Sequence, residues 1–301
     1  MFDYLDADVA YLLGLIAARG QLSKNNGGWR LMIQVPHSYL ETDELSERQR
    51  LIGSLNKIIN RIGGLTGNNP TLTEGTNVTD ISYESSRNTL FFRDLKLLLG
   101  DATGYENFSV PQPLFDGPDD VKREFLRGYG DIAAKVRKSN EYFLGLNRVY
   151  IDILSVNWKL PTQLCHLLQD HLKIPVQTLT WGHPNLRDKA TKPWTKREHQ
   201  VKVFCDAYLP IGFYLDHKHK QLEAFARKNR QIRVKGGPKP HECDPETKSR
   251  GRNPRHPDEG NADLPKSLRG KHFNGYREIC TKIHCWRWEQ KQKKQKRLPG
   301  T

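Results

Sequence analysis

The sequence predicts an α+β protein of two related halves, each with the element order αββαββα and an antiparallel sheet, followed by a small basic module. Two observations predict the halves. A glycine-bearing helical pattern occurs twice, with its glycines, Gly14 and Gly128, 114 residues apart, and the same order of elements follows each copy. A concentration of cationic residues after residue 230 predicts the separate module.

The first repeat is assigned to residues 1–100. An apolar helix ends at Gly20, a residue typical of a helix C-cap, and a polar turn follows. Alternation of polar and apolar residues then indicates a strand. The predicted elements are a helix at 5–19, a hairpin tip at 23–28, a strand at 30–35, a helix at 42–62, a strand at 76–83 and a helix at 88–99.

The same order returns in the second repeat, residues 118–230, after a linker at 101–117 that is rich in glycine, proline and asparagine. Its first helix starts behind Pro118 with two aspartates, which favour a helix N-terminus. The predicted elements are a helix at 119–133, a tip at 137–140, a strand at 148–153, a helix at 160–172, strands at 176–181 and 200–206, and a helix at 216–229.

The repeated helices carry small residues at a spacing that permits close packing. Gly14 and Ala18 are four residues apart and share one helix face, and Gly128 with Ile132 offers a similar surface. A bare backbone at these positions lets a second helix approach closely. We therefore expect the two helices to pack together on a pseudo-twofold axis.

The repeated pattern resembles the LAGLIDADG motif of homing endonucleases. The matching letters are Leu12, Gly14, Leu15, Ile16, Ala18 and Gly20 in the first copy, and Leu126, Gly128, Tyr129 and Asp131 in the second. The resemblance covers roughly residues 1–230. It implies that the motif helices form the interface between the repeats, and that each repeat contributes a four-stranded sheet which saddles the major groove of double-stranded DNA.

The residues at the motif's catalytic position differ from those of the family. The resemblance implies that one acid from each motif helix should hold a divalent metal ion, but Arg19 and Ala133 stand at these places. A cation and a methyl group cannot hold Mg²⁺, which prefers carboxylate oxygens. Asp131 is the one nearby acid, and it lies two residues, about 200° of helix, from that position. We therefore expect the usual cleavage centre to be lost, with Mg²⁺ relevant only if a nuclease centre survives.

By the same resemblance, the polar faces of the hairpins are the candidate DNA-binding surface. Arginine and lysine suit guanine edges, glutamine suits adenine, and aspartate accepts from cytosine. The candidates are Gln21, Lys24, Arg30, Met32 and Gln34 in the first repeat, and Lys135, Arg137, Lys138, Arg148, Tyr150 and Asp152 in the second.

Three functions stay open. The first is sequence-selective DNA binding without cleavage, by a regulator or by a targeting subunit that works with a separate nuclease or another protein. The second is a DNA endonuclease, of restriction or homing type, that uses a non-standard centre; residues 244–248 are a weak match to one such motif. The third is an intron maturase that binds RNA.

Composition and charge agree with a nucleic-acid partner. The 301 residues carry a net charge of +14, and residues 231–301 contribute +10 of it. The odd number of cysteines, five, argues against a disulfide framework, and neither a secretion signal nor a membrane span is apparent. We expect a monomer with an internal pseudo-dimer, in the cytoplasm with the nucleoid or in another reducing intracellular compartment.

The basic module, residues 231–301, contains a candidate structural zinc site. Three thiols and one imidazole suit tetrahedral zinc, and a small module with few apolar residues needs such a constraint to fold. The candidate ligands are Cys243, His256, Cys280 and Cys285, with His241, His272 and His284 as rivals.

Overall fold

The computed structural model describes residues 5–25, 27–40, 47–67, 69–85, 89–138, 146–154, 157, 159–184, 197–234 and 272–273. The first repeat contains α1 (Ala7–Arg19), β1 (Gly20–Asn25), β2 (Gly28–Pro36), a 3-10 turn (His37–Tyr39), α2 (Glu47–Thr66), β3 (Thr71–Glu74), β4 (Val78–Ser85) and α3 (Leu90–Leu99). A short helix, α4 (Gln112–Asp116), lies in the linker.

The second repeat follows the same plan. It contains α5 (Asp119–Ala133), β5 (Ala134–Arg137), β6 (Arg148–Leu154), α6 (Lys159–His166), a π-helical turn (Leu167–His171), β7 (Thr178–Pro184), β8 (Arg197–Phe204), α7 (Cys205–Tyr208) and α8 (Asp216–Val234). A two-residue strand, β9 (His272–Phe273), belongs to the C-terminal module.

Each repeat builds one antiparallel sheet with the same strand order. The first sheet has the order β1-β2-β4-β3, and the second has β5-β6-β8-β7 with β9 added at its edge. Alternate residues of the central strands are apolar and buried, among them Leu31 and Ile33 in β2 and Val149 and Ile151 in β6. These apolar faces pack on the helices, so the opposite face of each sheet carries the polar residues.

Helices α1 and α5 pack against each other in the middle of the molecule. A Cβ on Gly14 would clash with the carbonyl oxygen of Phe125, and a Cβ on Gly128 would clash with that of Tyr11. Tyr11 and Phe125 are themselves 114 residues apart, as the two glycines are. The two helices therefore contact each other reciprocally, which confirms the predicted pseudo-twofold core.

The first motif helix is central because its sequence has no polar side. Every residue from Val9 to Arg19 is buried, as expected for a helix that is apolar all round. The helix begins where the Asp6 side chain accepts a hydrogen bond of 2.8 Å from the backbone N–H of Val9.

Several element boundaries differ from the sequence prediction. Strand β3 is an additional short edge strand whose residues are all exposed, so it lacks the apolar alternation that marks a strand. The helix predicted at 160–172 changes at Leu167 into a π-helical turn, and the strand predicted at 200–206 starts earlier, at Arg197. Within the described residues, no helix is both long and apolar enough to cross a membrane.

Candidate nucleic-acid interface

The polar face of the first sheet is nearly neutral. Arg30 donates a hydrogen bond of 3.0 Å to Ser82 and forms an ion pair of 3.2 Å with Glu84, its neighbour across the strands. The neighbouring strand β4 carries a second acid on this face, Asp80, which lies opposite Gln34. The described side chains of this face are Gln21, Ser23, Arg30, Met32, Gln34, Thr71, Thr73, Asp80, Ser82 and Glu84.

The polar face of the second sheet is cationic. Its charged side chains come from three adjacent strands, so that four cations and two carboxylates share one surface among the described residues. These side chains are Lys135, Arg137, Arg148, Lys202, Asp152 and Glu198. The two repeats therefore offer unequal electrostatic surfaces to a polyanion, a difference that the pattern of β2 and β6 alone does not show.

Arg148 begins β6 on the cationic face, opposite Arg137 of β5, and its orientation is fixed. Its guanidinium donates hydrogen bonds of 3.0 Å to Gln177 and 2.7 Å to the Tyr150 hydroxyl, and only 4 % of the residue is exposed. Lys202 lies beside it, and burial together with the charge of Arg148 lowers the pKa of Lys202 to about 7.

Two predicted DNA-binding residues lie elsewhere. Lys24 pairs with Trp29 across the hairpin, and its ammonium lies 5.8 Å from the centre of the indole ring. Because strand residues alternate, Lys24 falls on the face opposite to Gln21, contrary to expectation. Lys138 is exposed just after β5, beyond the paired part of the strand.

The two polar faces are joined by Tyr39 and Asp152. The Tyr39 hydroxyl, at the end of the first hairpin, donates a hydrogen bond of 2.9 Å to the Asp152 carboxylate. The other Asp152 oxygen accepts a bond of 2.8 Å from Gln200, and the Lys135 ammonium lies 4.4 Å from the centre of the Tyr39 ring. Asp152 therefore holds the repeats together, and its oxygens are occupied rather than open to a base.

Arg19 occupies the place where the motif would have its first acid. The residue is 6 % exposed, and its guanidinium lies 5.7 Å from the centre of the Tyr39 ring. Its charge lowers the pKa of Glu198, which burial and Asp152 together raise to about 7. Ala133, at the second motif position, is fully buried and offers no ligand. A built-in cation, whose guanidinium donates a hydrogen bond of 3.1 Å to the Ala18 carbonyl and whose charge acts on Glu198, thus stands where the motif would have its first acid.

Glu198 and Lys202 are the charged residues of this face that sequence reasoning missed. Glu198 is the first residue of β8 that pairs with β6, opposite Leu154, and it follows a long segment without a clear pattern. Alternation with Gln200 and Lys202 on the same strand could have placed it on the polar face.

Asp131 lies in the core rather than on the polar faces. It is fully buried, accepts a hydrogen bond of 2.7 Å from Tyr11, and has the backbone N–H of Leu215 at 3.5 Å. Desolvation raises its pKa to about 6, although the neighbouring Lys218 opposes this shift. The Lys218 ammonium donates to three carbonyl oxygens at the end of α5, those of Gly130, Asp131 and Ala134. This pair secures the helix end and leaves Asp131 away from any substrate.

The zinc ligands predicted in the C-terminal module, Cys243, His256, Cys280 and Cys285, lie outside the described residues. The described part of the chain contains no group of three or more histidine, cysteine or acidic side chains that could hold a metal ion. The two described cysteines, Cys165 and Cys205, are buried and reduced.

Comparison with protein-family models and with curated proteins finds no match. Solved structures do match. Full-length DUF199/WhiA from Thermatoga maritima is 15% identical with a TM-score of 0.41, over 79% of this chain and 63% of that chain, so this chain spans less than two thirds of its length. The N-terminal LAGLIDADG domain of DUF199/WhiA is 15% identical with a TM-score of 0.36, covering 76% of this chain and 83% of the domain.

A third solved structure is I-DmoI in complex with DNA and Ca, which is 15% identical with a TM-score of 0.34 and covers 68% of this chain and 87% of that chain. These low scores carry no conclusion about activity. The predicted LAGLIDADG-like fold is confirmed by the reciprocal packing of α1 and α5 and by the matching strand order of the two sheets.

Proposed function

We propose that this protein binds double-stranded DNA sequence-selectively and does not cleave it through the usual metal centre of the LAGLIDADG fold. It would act as a regulator, or as a targeting subunit that works with a separate nuclease or another protein. The observation that carries the proposal is the cationic face of the second sheet, which continues through the Tyr39–Asp152 contact into the face of the first. Such a surface suits the phosphates and base edges of a duplex.

Selectivity is expected from the side chains that are held in place. Arg148 carries the planar fork that best recognises guanine in the major groove, but its guanidinium is buried against Gln177 and Tyr150, so reading a base requires these contacts to open. On the first sheet, Gln34 is a candidate reader of adenine. Lys135 and Arg137 suit phosphate contacts, which position the protein on the duplex without reading its sequence.

Arg19 is the reason to expect no cleavage through the usual metal centre. Mg²⁺ needs oxygen ligands, and the guanidinium of Arg19 places a fixed positive charge where the metal would lie. One observation favours the alternative of a non-standard nuclease centre, namely the two carboxylates of Asp152 and Glu198 in the same area. The hydrogen bonds of Asp152 to Tyr39 and Gln200 leave few free lone pairs for a metal ion.

The proposal is tested by selecting bound duplexes from a random pool and comparing affinities for the winner and for random DNA. We expect Arg30→Ala with Arg148→Ala to weaken binding to the selected site by about tenfold or more, and to weaken random binding less. Arg227→Ala, an exposed change on α8, is the matched control. Equal loss on both duplexes would show that the sheet faces do not read sequence.

The same winner, incubated with Mg²⁺, tests cleavage. An intact duplex supports a binding protein, whereas cutting that disappears in Glu198→Gln would support the non-standard centre. A parallel selection with RNA tests the maturase alternative, since tighter RNA binding would favour it over duplex DNA.

We also propose that Cys243, His256, Cys280 and Cys285 bind one structural zinc ion in the basic module. Support comes from the ligand types and from the poor apolar content of the segment. Elemental analysis of the purified protein should find about one equivalent of zinc, and Cys280→Ser should remove it. A folded, zinc-free module would overturn this proposal.

A further inference from the structure

Two histidines face each other at the end of α6. His166 is the last residue of that helix and His171 ends the π-helical turn that follows it. The turn is closed by a hydrogen bond of 3.0 Å from the backbone N–H of Leu172 to the carbonyl of Leu167, five residues back. This wider turn brings side chains five residues apart to the same side of the helix, and such turns are frequent at functional sites.

The two imidazoles are spaced as a pair of metal ligands would be. The Nε2 atoms of His166 and His171 lie 3.3 Å apart, and the ring planes meet at 80°. Two nitrogens that each lie about 2.0–2.1 Å from a tetrahedral zinc ion are about 3.3–3.4 Å apart. The hydrogen bond that joins the two Nε2 atoms would be replaced by two bonds to one ion, with the nitrogen spacing unchanged.

The remaining contacts fix the rings in the way known for metal-binding histidines. The Nδ1 atom of His166 lies 2.7 Å from the Asp170 carboxylate, which sets the tautomer and directs Nε2 toward His171. The Phe115 ring of α4 packs on both imidazoles, with centroids 5.3 and 5.6 Å away. The His166 side chain is 41% exposed, so an ion can reach the pair from solvent.

We propose that His166 and His171 form a two-histidine clamp for a divalent transition metal ion of the zinc class, oriented by Asp170. The described residues around it supply no third ligand, so water or an external ligand completes the coordination. Lys122, which is paired with Asp119 at 3.4 Å, adds an unfavourable positive charge near the site and limits its affinity. Bound metal would fasten the end of α6 in the conformation seen here.

The test is a zinc titration of the full-length protein by calorimetry, with thermal unfolding measured in parallel. We expect a site that raises the melting temperature at saturating zinc, because a ligand that binds only the folded state stabilises it. In a Cys280→Ser background, which lacks the zinc site proposed in the basic module, His166→Ala and His171→Ala should each abolish this shift, and Asp170→Asn should weaken binding by about tenfold or more. Cu²⁺ bound to the same site should show nitrogen ligands in its electron paramagnetic resonance spectrum.

His219→Ala is the matched control, because His219 also faces an acid four residues on, Glu223 at 3.7 Å, but pairs with no second imidazole among the described residues. This variant should keep the zinc-induced shift. Cys280→Ser separates the clamp from the zinc site proposed in the basic module and should leave the clamp intact. Unchanged zinc binding in a folded variant that lacks both His166 and His171 would overturn the proposal.

Discussion

Tyr11 of α1 donates a hydrogen bond of 2.7 Å to Asp131 of α5, and both residues are fully buried between the two repeats. The bond has no counterpart on the other side of the pseudo-twofold axis, because the residues 114 positions away are Phe125 and Ala17. The two repeats therefore share the same backbone arrangement, but this buried hydrogen bond occurs on one side only. Lys218 adds three hydrogen bonds to carbonyl oxygens at the end of α5, beside this bond.

We expect Tyr11→Phe to destabilise the protein by about 1–3 kcal/mol, because the buried Asp131 carboxylate loses its strongest donor. Denaturant unfolding measures the change. Tyr83→Phe is the matched control, since within the described residues the buried Tyr83 hydroxyl has no hydrogen-bond partner. A loss in the control as large as that in Tyr11→Phe would show that removing any buried hydroxyl, and not the loss of this bond, lowers the stability.

Gly14→Ala and Gly128→Ala should each cost about 1–3 kcal/mol or more of stability, because the added methyl group meets backbone that cannot move away. A Cβ on Gly14 would lie 2.6 Å from the backbone nitrogen of Tyr129, and one on Gly128 would lie 2.9 Å from the carbonyl carbon of Tyr11. Gly53→Ala, on the exposed side of α2 with nothing within 4 Å, should instead stabilise by up to about 1 kcal/mol. Equal effects at the three positions would refute the close contact of α1 and α5.

The sequence predicted the helix pair because a buried close approach requires glycine, and glycine is visible in the chain. Polar faces of β2 and β6 were likewise predictable from period-two alternation. The hydrogen-bond partners of Asp152 and Arg148 were not, because Tyr39, Gln200 and Gln177 come from separate elements that only the tertiary fold brings together. The π-helical turn was missed because a helical apolar pattern does not distinguish a wider turn from an α-helix.

Glu198 should make stability depend on pH. Its pKa is raised from 4.5 to about 7, chiefly by burial and next by Asp152, so the folded state holds this proton more tightly than the unfolded chain does. Stability contributed by the protonated form is present below about pH 4.5 and is lost as pH rises to about 7. At about 1.4 kcal/mol per pKa unit, the effect is of the order of 3 kcal/mol.

Glu198→Gln should remove this loss, so that the variant gains stability over the wild type between about pH 5 and 8. Urea unfolding at several pH values measures it. Asp216→Asn provides the opposite sign, because the bond to Lys57 lowers the pKa of Asp216 and its stabilisation is lost as pH falls. A parallel pH profile in Glu198→Gln and wild type would contradict the assignment.

DNA affinity should fall as pH rises between about 6 and 8, because two groups on the cationic face change charge in this range. Lys202, whose pKa is lowered to about 7 by burial and by Arg148, loses its positive charge, while Glu198 gains a negative one. Fluorescence anisotropy with the selected duplex measures the slope of log affinity against pH. Lys202→Gln and Glu198→Gln should each reduce that slope. Arg137→Gln removes a cation that stays charged at all these pH values, so it should lower affinity but keep the slope. A slope that also stays unchanged in Lys202→Gln and Glu198→Gln would mean that neither titrating residue acts on the bound DNA.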